Sequence, residues 1–168
     1  MRLAKPNKKY EVSWHETVEE FRRDRKSIGA WKVLGDPEDL AAYIANARNY
    51  SQGKCLPAGW VPFDLLWLVD GGEIIGLANI RHSLNDILLR EGGHIGYEIR
   101  PSRRGNGYGN KLLELALKKA KKLVSGRILM VSSDNNVFSC KIIERNGGKL
   151  ENKVNAAKGL IRRYWIQN

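Results

Sequence analysis

Hydrophobic residues recur along this chain with two different periods, and the two periods predict different secondary structure. Alternating or short continuous apolar runs predict about seven strands, near residue 3 and at residues 65–69, 73–81, 94–100, 127–132, 149–154 and 160–166. Apolar residues spaced three or four apart predict about four helices, at residues 10–25, 37–50, 110–123 and 136–146. Strands and helices in this order predict an α/β (α+β) fold built on a mixed sheet.

The second helix carries the clearest start signal. Asp36 is a suitable N-cap, Pro37 fits the first helical position, and acidic residues follow in the first turn. The sequence therefore predicts that this helix begins at residue 37. Glycines and prolines between residues 51 and 63 predict a loop after it.

Length and charge narrow the class of protein. A chain of 168 residues suits one domain with a sizeable core, so one domain over residues 1–168 is predicted. Its 29 basic and 18 acidic residues give a net charge of +11, which favours polyanionic ligands, although the chain lacks the signature of a nucleic-acid module. Two cysteines and three histidines indicate neither a disulfide framework nor a metal site. Without a long apolar segment or leader, the expected location is the reducing cytoplasm and not the membrane.

A glycine-rich turn joins the strand at 94–100 to the helix at 110–123. It reads Arg103-Arg104-Gly105-Asn106-Gly107-Tyr108-Gly109. The first N–H groups of a helix have no partner within the helix, and the helix dipole places roughly half a positive charge there. Glycines before the helix allow several amides to converge on an anion. The turn therefore predicts a phosphorylated ligand held mostly by backbone.

Two common phosphate-binding loops do not fit this turn. A P-loop requires Lys followed by Ser or Thr at the helix start, but Lys111 is followed by Leu112. A dinucleotide-binding turn needs another glycine spacing and an acidic residue about 20 residues on, where Met130 stands. The pattern that remains is Arg-x-x-Gly-x-Gly.

This pattern resembles the pyrophosphate loop of the GNAT superfamily, the GCN5-related acyl-CoA-dependent N-acetyltransferases. A second segment resembles a later helix of that family, with Asn136, Ser139 and the run Glu144-Arg145-Asn146-Gly147-Gly148. The two segments have the expected order and distance, and the resemblance covers about residues 60–168. Within the superfamily the chain is similar to a bacterial branch of predicted acetyltransferases of unassigned substrate.

The resemblance implies acetyl-CoA (coenzyme A) as the cofactor and a mixed, mostly antiparallel GNAT-like sheet. It also implies that the strands at 94–100 and 127–132 splay apart to admit the pantetheine arm, and that a backbone N–H near Ile99 polarises the thioester carbonyl. The cofactor-binding residues that it implies are Ile99, Arg100, Arg104, Gly105, Asn106, Gly107, Tyr108, Gly109, Asn136 and Ser139. An alternative for Asn136 is that its side chain only caps a helix.

Two residues of the strand before the turn are candidate general bases. The alternation of a strand places His94, Gly96, Glu98 and Arg100 on one face. Histidine titrates near neutral pH and a carboxylate can act through water, so Glu98 and His94 are both candidates. The alternative is that Glu98 and Arg100 form a neighbouring pair on a solvated face.

One position departs from the family pattern. Many GNAT enzymes have a tyrosine seven positions after the asparagine, where it can protonate the leaving thiolate, but this chain has Ile143 there. The general acid is therefore unassigned, with Tyr108, Tyr164 and water as alternatives.

The sequence thus predicts an acetyl-CoA-dependent N-acetyltransferase that acts on a primary amine of a small molecule or peptide by direct attack. Two alternatives stay open. Ile143 motivates a non-catalytic module that binds or senses acyl-CoA, and the net charge motivates an RNA- or ribosome-associated acetyltransferase. The sequence identifies neither the amine nor the acyl chain, and it leaves homodimer formation open.

Overall fold

The computed structural model describes residues 1–25, 27–157 and 159–167, and its strands form two antiparallel sheets. The first sheet has the order β1-β2-β3-β4, with β1 at Arg2–Ala4, β2 at Phe63–Asp70, β3 at Glu73–Arg81 and β4 at Ile95–Ile99. The second has the order β5-β7-β6, with β5 at Ile128–Ser133, β6 at Lys149–Ala156 and β7 at Gly159–Ile166. The predicted seven strands are confirmed, although they form two sheets and not one mixed sheet.

The described part of the chain has four α-helices. They are α1 at Glu11–Arg23, α2 at Leu40–Ser51, α3 at Tyr108–Ala120 and α4 at Val137–Arg145. Of these, α1, α2 and α3 pack on the first sheet, and α4 packs on α3 and β5. One apolar cluster lies between the first sheet and α1 and α2, where Trp14 stacks on Trp67 with ring centroids 4.9 Å apart. A second cluster joins the opposite face to α3, α4 and the second sheet. The predicted α/β fold is therefore confirmed, whereas one domain over residues 1–168 stays a prediction.

The predicted start of α2 is wrong. The helix begins at Leu40, and Asp39 is its N-cap because the Asp39 carboxylate accepts the Ala42 N–H at 2.9 Å. Asp36 instead accepts the Glu38 N–H, and the Pro37 carbonyl accepts the Trp14 indole N–H at 2.8 Å. These contacts hold residues 36–38 outside the helix.

Strands β4 and β5 are joined only at their beginnings. The His94 N–H donates to the Leu129 carbonyl at 2.7 Å, and the Leu129 N–H donates to Nδ1 of His94 at 2.9 Å. Gly93 permits this approach, because a Cβ there would lie 2.8 Å from the Leu129 oxygen. No other backbone hydrogen bond links β4 to β5 among the residues described. The predicted splay of the two strands is confirmed.

Candidate active site

Five consecutive backbone N–H groups, those of residues 105–109, are available to a ligand at the start of α3. None of them donates to an acceptor within the described ranges of the chain. Gly105 and Gly107 have φ values of 81° and 76°, and a Cβ on either would meet no atom within 4 Å. Such an open group of amides at a helix N-terminus fits the diphosphate of a CoA-type nucleotide.

Two carboxylates fix the turn that precedes these amides. Glu73 on β3 accepts two hydrogen bonds from the Arg103 guanidinium, both at 2.8 Å. Glu20 on α1 accepts the Ser102 N–H at 2.9 Å. The charge of Arg103 is therefore paired within the protein, and α1 and β3 determine where the loop lies.

Arg100 does not join the predicted cofactor site. Its guanidinium contacts three carboxylates, with Nε 2.7 Å from Glu20, Nη1 3.1 Å from Glu73 and Nη2 3.1 Å from Glu16. Its backbone N–H donates to Ile75 on β3. The side chain is thus buried against α1, because three acidic partners from distant parts of the chain surround it.

Arg104 connects the loop to β4 and to the end of α1. Its Nη2 lies 2.7 Å from Asp24 Oδ2 and 3.8 Å from Glu98 Oε1, and its Nε donates to the Ile99 carbonyl at 3.1 Å. Arg104, which was predicted to bind the cofactor, is therefore directed at Asp24, Glu98 and the edge of β4.

Strands β4 and β5 leave a gap between them, and the hydrogen-bond register of β4 points the backbone N–H and C=O groups of its odd-numbered residues into that gap. Ile99 pairs with Gly76, and the flanking bond from Arg100 N–H to the Ile75 carbonyl makes this a non-hydrogen-bonded pair. In such a pair both backbone groups point away from the partner strand, which here means toward β5. Arg104 occupies the Ile99 carbonyl and the Ile99 N–H is left without a partner among the described residues, so its role in polarising the thioester carbonyl stays a prediction.

Asn136 and Ser139 lie at the start of α4, on the other side of the gap. The Asn136 side chain accepts the Ser139 N–H at 3.1 Å, so it caps the helix as the alternative interpretation predicted. The Ser139 hydroxyl lies 3.0 Å from the Tyr97 hydroxyl. This contact joins β4 to α4, and burial raises the pKa of Tyr97 to about 12, so its hydroxyl stays protonated at neutral pH.

Glu98 is buried on the face of β4 that looks toward α1, with 7% of its surface exposed. The Ile28 N–H donates to its Oε1 at 3.0 Å, and its Oε2 has no hydrogen-bond partner in the described structure. Burial raises the pKa of this carboxyl, while the Ser27 side chain, the N–H groups of Ile28 and Ala30, and the Arg104 charge act in the opposite direction. The alternative of a solvated Glu98–Arg100 pair is wrong, because Glu98 is enclosed and Arg100 binds other carboxylates.

His94 is also buried, but its ring is already in use. Its Nδ1 accepts the Leu129 N–H, so a neutral ring carries its proton on Nε2. That tautomer has no free lone pair with which to take a proton from an amine. Burial also lowers the pKa of the ring, which favours this neutral form. The geometry therefore favours Glu98 over His94 as the base.

The alternatives for the general acid differ in availability. Ile143 is fully buried in the core and has no acidic proton. The Tyr164 hydroxyl is also buried and already donates to Glu144 at 3.0 Å. Tyr108, half-buried at the first position of α3, stays a prediction. Sequence reasoning missed Tyr97, because strand alternation places its side chain on the face opposite Glu98.

Comparison with known proteins identifies the family. The family model described as the acetyltransferase (GNAT) domain matches residues 9–149. The chain belongs to this family. Proteins of the GNAT family transfer acetyl groups from acetyl-CoA, so this GNAT protein is an acetyltransferase with acetyl-CoA as its cofactor, and the amides of residues 105–109 fit that role. A search of curated proteins finds no match.

Solved structures share the fold at low sequence identity. The ribosomal-protein alpha-N-acetyltransferase RimL in complex with coenzyme A has a TM-score of 0.69 and 14% identity, covering 99% of this chain and 92% of that one. The microcin C7 self immunity acetyltransferase MccE in complex with acetyl-CoA and AMP has a TM-score of 0.69 and 17% sequence identity. The match covers 99% of this chain and 91% of that one. The ribosomal-protein-alanine N-acetyltransferase from Brucella melitensis has a TM-score of 0.68 and 13% sequence identity, and the match covers 100% of both chains.

The described part of the chain contains neither a candidate metal cluster nor a candidate membrane-spanning helix. No three His, Cys, Asp or Glu side chains form a candidate metal site among residues 1–25, 27–157 and 159–167. None of the described helices is long and apolar enough to cross a membrane.

Proposed function

We propose that this GNAT protein transfers the acetyl group of acetyl-CoA to a primary amine of a small molecule or peptide by direct attack. One observation carries the proposal. The amides of residues 105–109 and the Ile99 N–H are free, Ile99 ends the strand that leads into that loop, and the buried Glu98 carboxylate is on the preceding residue of β4. An anion site, a donor for a carbonyl and a base are thus adjacent.

Each group has a role that its position supports. The N–H groups of residues 105–109 bind the diphosphate, and the Ile99 N–H donates to the carbonyl oxygen, where negative charge develops. When bound, acetyl-CoA supplies an acetyl group activated as a thioester. Glu98 Oε2 takes the proton that the amine must lose, directly or through water.

The environment of Glu98 suits a base that works near neutral pH. A general base is most effective when its pKa lies close to the working pH, and burial raises the pKa of Glu98 in that direction. Arg104 lies 3.8 Å from Oε1 and opposes this shift, because its positive charge favours the carboxylate. Hydrogen bonds from Ser27, Ile28 and Ala30 also favour the carboxylate, so these contacts act on the pKa of Glu98 in the direction opposite to burial.

The test is release of the CoA thiol from acetyl-CoA in the presence of a panel of small-molecule and peptide amines. We expect release that depends on the amine, with an acetylated product detected by mass spectrometry. Binding of acetyl-CoA without amine-dependent release across the panel would instead support the non-catalytic module.

A further inference from the structure

The face of the first sheet that carries Glu98 leaves open space above Gly96. In the pairing of β3 with β4, Asn79 lies opposite Gly96 and Leu77 lies opposite Glu98. Because side chains alternate along both strands, these four residues share one face. Leu77 belongs to the apolar cluster beneath α1 and α2, so this face looks toward those helices.

Two acceptor oxygens on this face are buried without a donor. Asn79 Oδ1 and Glu98 Oε2 have no hydrogen-bond partner among the residues that the structure describes, and the two residues are only 8% and 7% exposed. A buried acceptor that lacks a donor destabilises a fold, and native proteins keep few of them. Here two such acceptor oxygens, Asn79 Oδ1 and Glu98 Oε2, belong to diagonal neighbours on adjacent strands. Their proximity indicates that one ligand supplies the missing donors.

Gly96 leaves room between these two oxygens. A Cβ on Gly96 would meet no atom within 4 Å, although the residue lies inside a strand. Glycine weakens a strand interior and often marks a close approach by a ligand. Diagonal cross-strand neighbours have Cα atoms about 7–8 Å apart, a separation from which two side chains can reach one nitrogen atom.

We propose that Asn79 is an acceptor-binding residue that orients the attacking amine above Gly96. This inference rests on the proposed function. A primary amine carries two N–H bonds and one lone pair, so Asn79 Oδ1 accepts one hydrogen bond and Glu98 Oε2 accepts the other. The lone pair then stays free to form the C–N bond as the thioester C–S bond breaks and CoA leaves as the thiolate, and Glu98 receives the amine proton.

The geometry also predicts selectivity for primary over secondary amines. A secondary amine has one N–H bond, and Glu98 needs it for proton transfer. Asn79 Oδ1 would then face the added alkyl group and stay without a donor. Asn79 therefore discriminates against N-methylated acceptors, while binding of acetyl-CoA is independent of it.

The test compares Asn79→Leu, which keeps the branched shape, with Asn155→Leu on the exposed strand β6 as a matched control. With the best amine of the panel we expect Asn79→Leu to lower kcat/KM about tenfold or more, as for loss of one buried hydrogen bond. Its preference for the primary amine over the N-methyl analogue should shrink by a similar factor. Affinity for acetyl-CoA should stay unchanged and the melting temperature should not fall, because Asn79 Oδ1 has no partner to lose and leucine removes a buried unsatisfied acceptor. Unchanged kcat/KM and selectivity would overturn the proposal.

A second variant and a binding measurement cover the other outcomes. Gly96→Val should abolish acceptor turnover but keep affinity for acetyl-CoA, since it fills only the space above the strand. If no amine is acetylated, the Asn79 side-chain amide is followed by NMR while CoA-loaded protein is titrated with n-butylamine. A saturable shift supports the site even though the proposed reaction fails, and an unchanged signal overturns it. If the unmodified protein does not bind CoA, the proposed function itself is refuted.

Discussion

His94 and Leu129 are joined by two hydrogen bonds at the point where β4 and β5 separate. The His94 ring accepts the Leu129 N–H at 2.9 Å, and the His94 N–H donates to the Leu129 carbonyl at 2.7 Å. One residue thus satisfies both backbone groups of Leu129, which is fully buried. Beyond this point the strands are free to admit a ligand between them.

Replacing His94 with Ala should therefore reduce stability. The Leu129 N–H would be left buried without an acceptor, which we expect to lower the free energy of unfolding by about 1–3 kcal/mol. Denaturant unfolding measures this change, with His15→Ala at a half-buried position of α1 as the control. Unchanged stability together with loss of the pH dependence of the rate would restore His94 as the base.

Replacing Gly107 with Val should abolish tight binding of CoA. Valine would place a branched side chain where the amides meet the diphosphate, at a φ of 76° that only glycine adopts easily. Gly126→Val is the matched control, because Gly126 has a φ of 81° and equally open surroundings beyond the other end of α3. Calorimetric titration should show lost affinity only in Gly107→Val. Retained micromolar affinity would contradict the assignment of the loop.

Replacing Glu98 with Gln should remove the base with little change in shape. We expect kcat to fall about 10²–10⁴-fold, the range for general base catalysis, and affinity for acetyl-CoA to stay unchanged. In the unmodified enzyme the rate should rise with pH through the raised pKa of Glu98, and the variant should lack that limb. Glu151→Gln on β6 is the control. If Glu98→Gln shows the same rise of rate with pH as the unmodified enzyme, that rise belongs to the titration of another group.

The same substitution should change the pH dependence of stability. A carboxyl whose pKa is raised by folding binds protons more tightly in the native state, so its contribution is complete below the unfolded pKa, near 4.5, and is lost as pH rises through the native pKa. Glu98→Gln should therefore be more stable than the unmodified protein at neutral pH, and the difference should disappear below about pH 4.5. Thermal unfolding across this range measures it, and a constant difference would show that burial does not raise the pKa of Glu98.

The sequence by itself determined the features that depend on short stretches of chain. Seven strands and four helices follow from hydrophobic periods of two and 3.6. The loop at residues 105–109 follows from glycines, which adopt positive φ more readily than other residues, and such a local constraint is visible in the sequence. The start of α2 was predicted wrongly because two nearby aspartates both suit an N-cap, and the distant Trp14 decides between them.

Only the tertiary structure decided which side chains face the site. Glu98 contacts Ile28, 70 residues away in the sequence, and Arg100 contacts Glu16, 84 residues away. The sequence of β4 alone therefore shows neither that Glu98 is buried nor that Arg100 binds carboxylates of other elements. Asn79 and Gly96 lie on different strands, and their common face depends on the register between β3 and β4. Strand periodicity gives the face of each residue within its strand, but partners, tautomers and burial arise from contacts between distant segments.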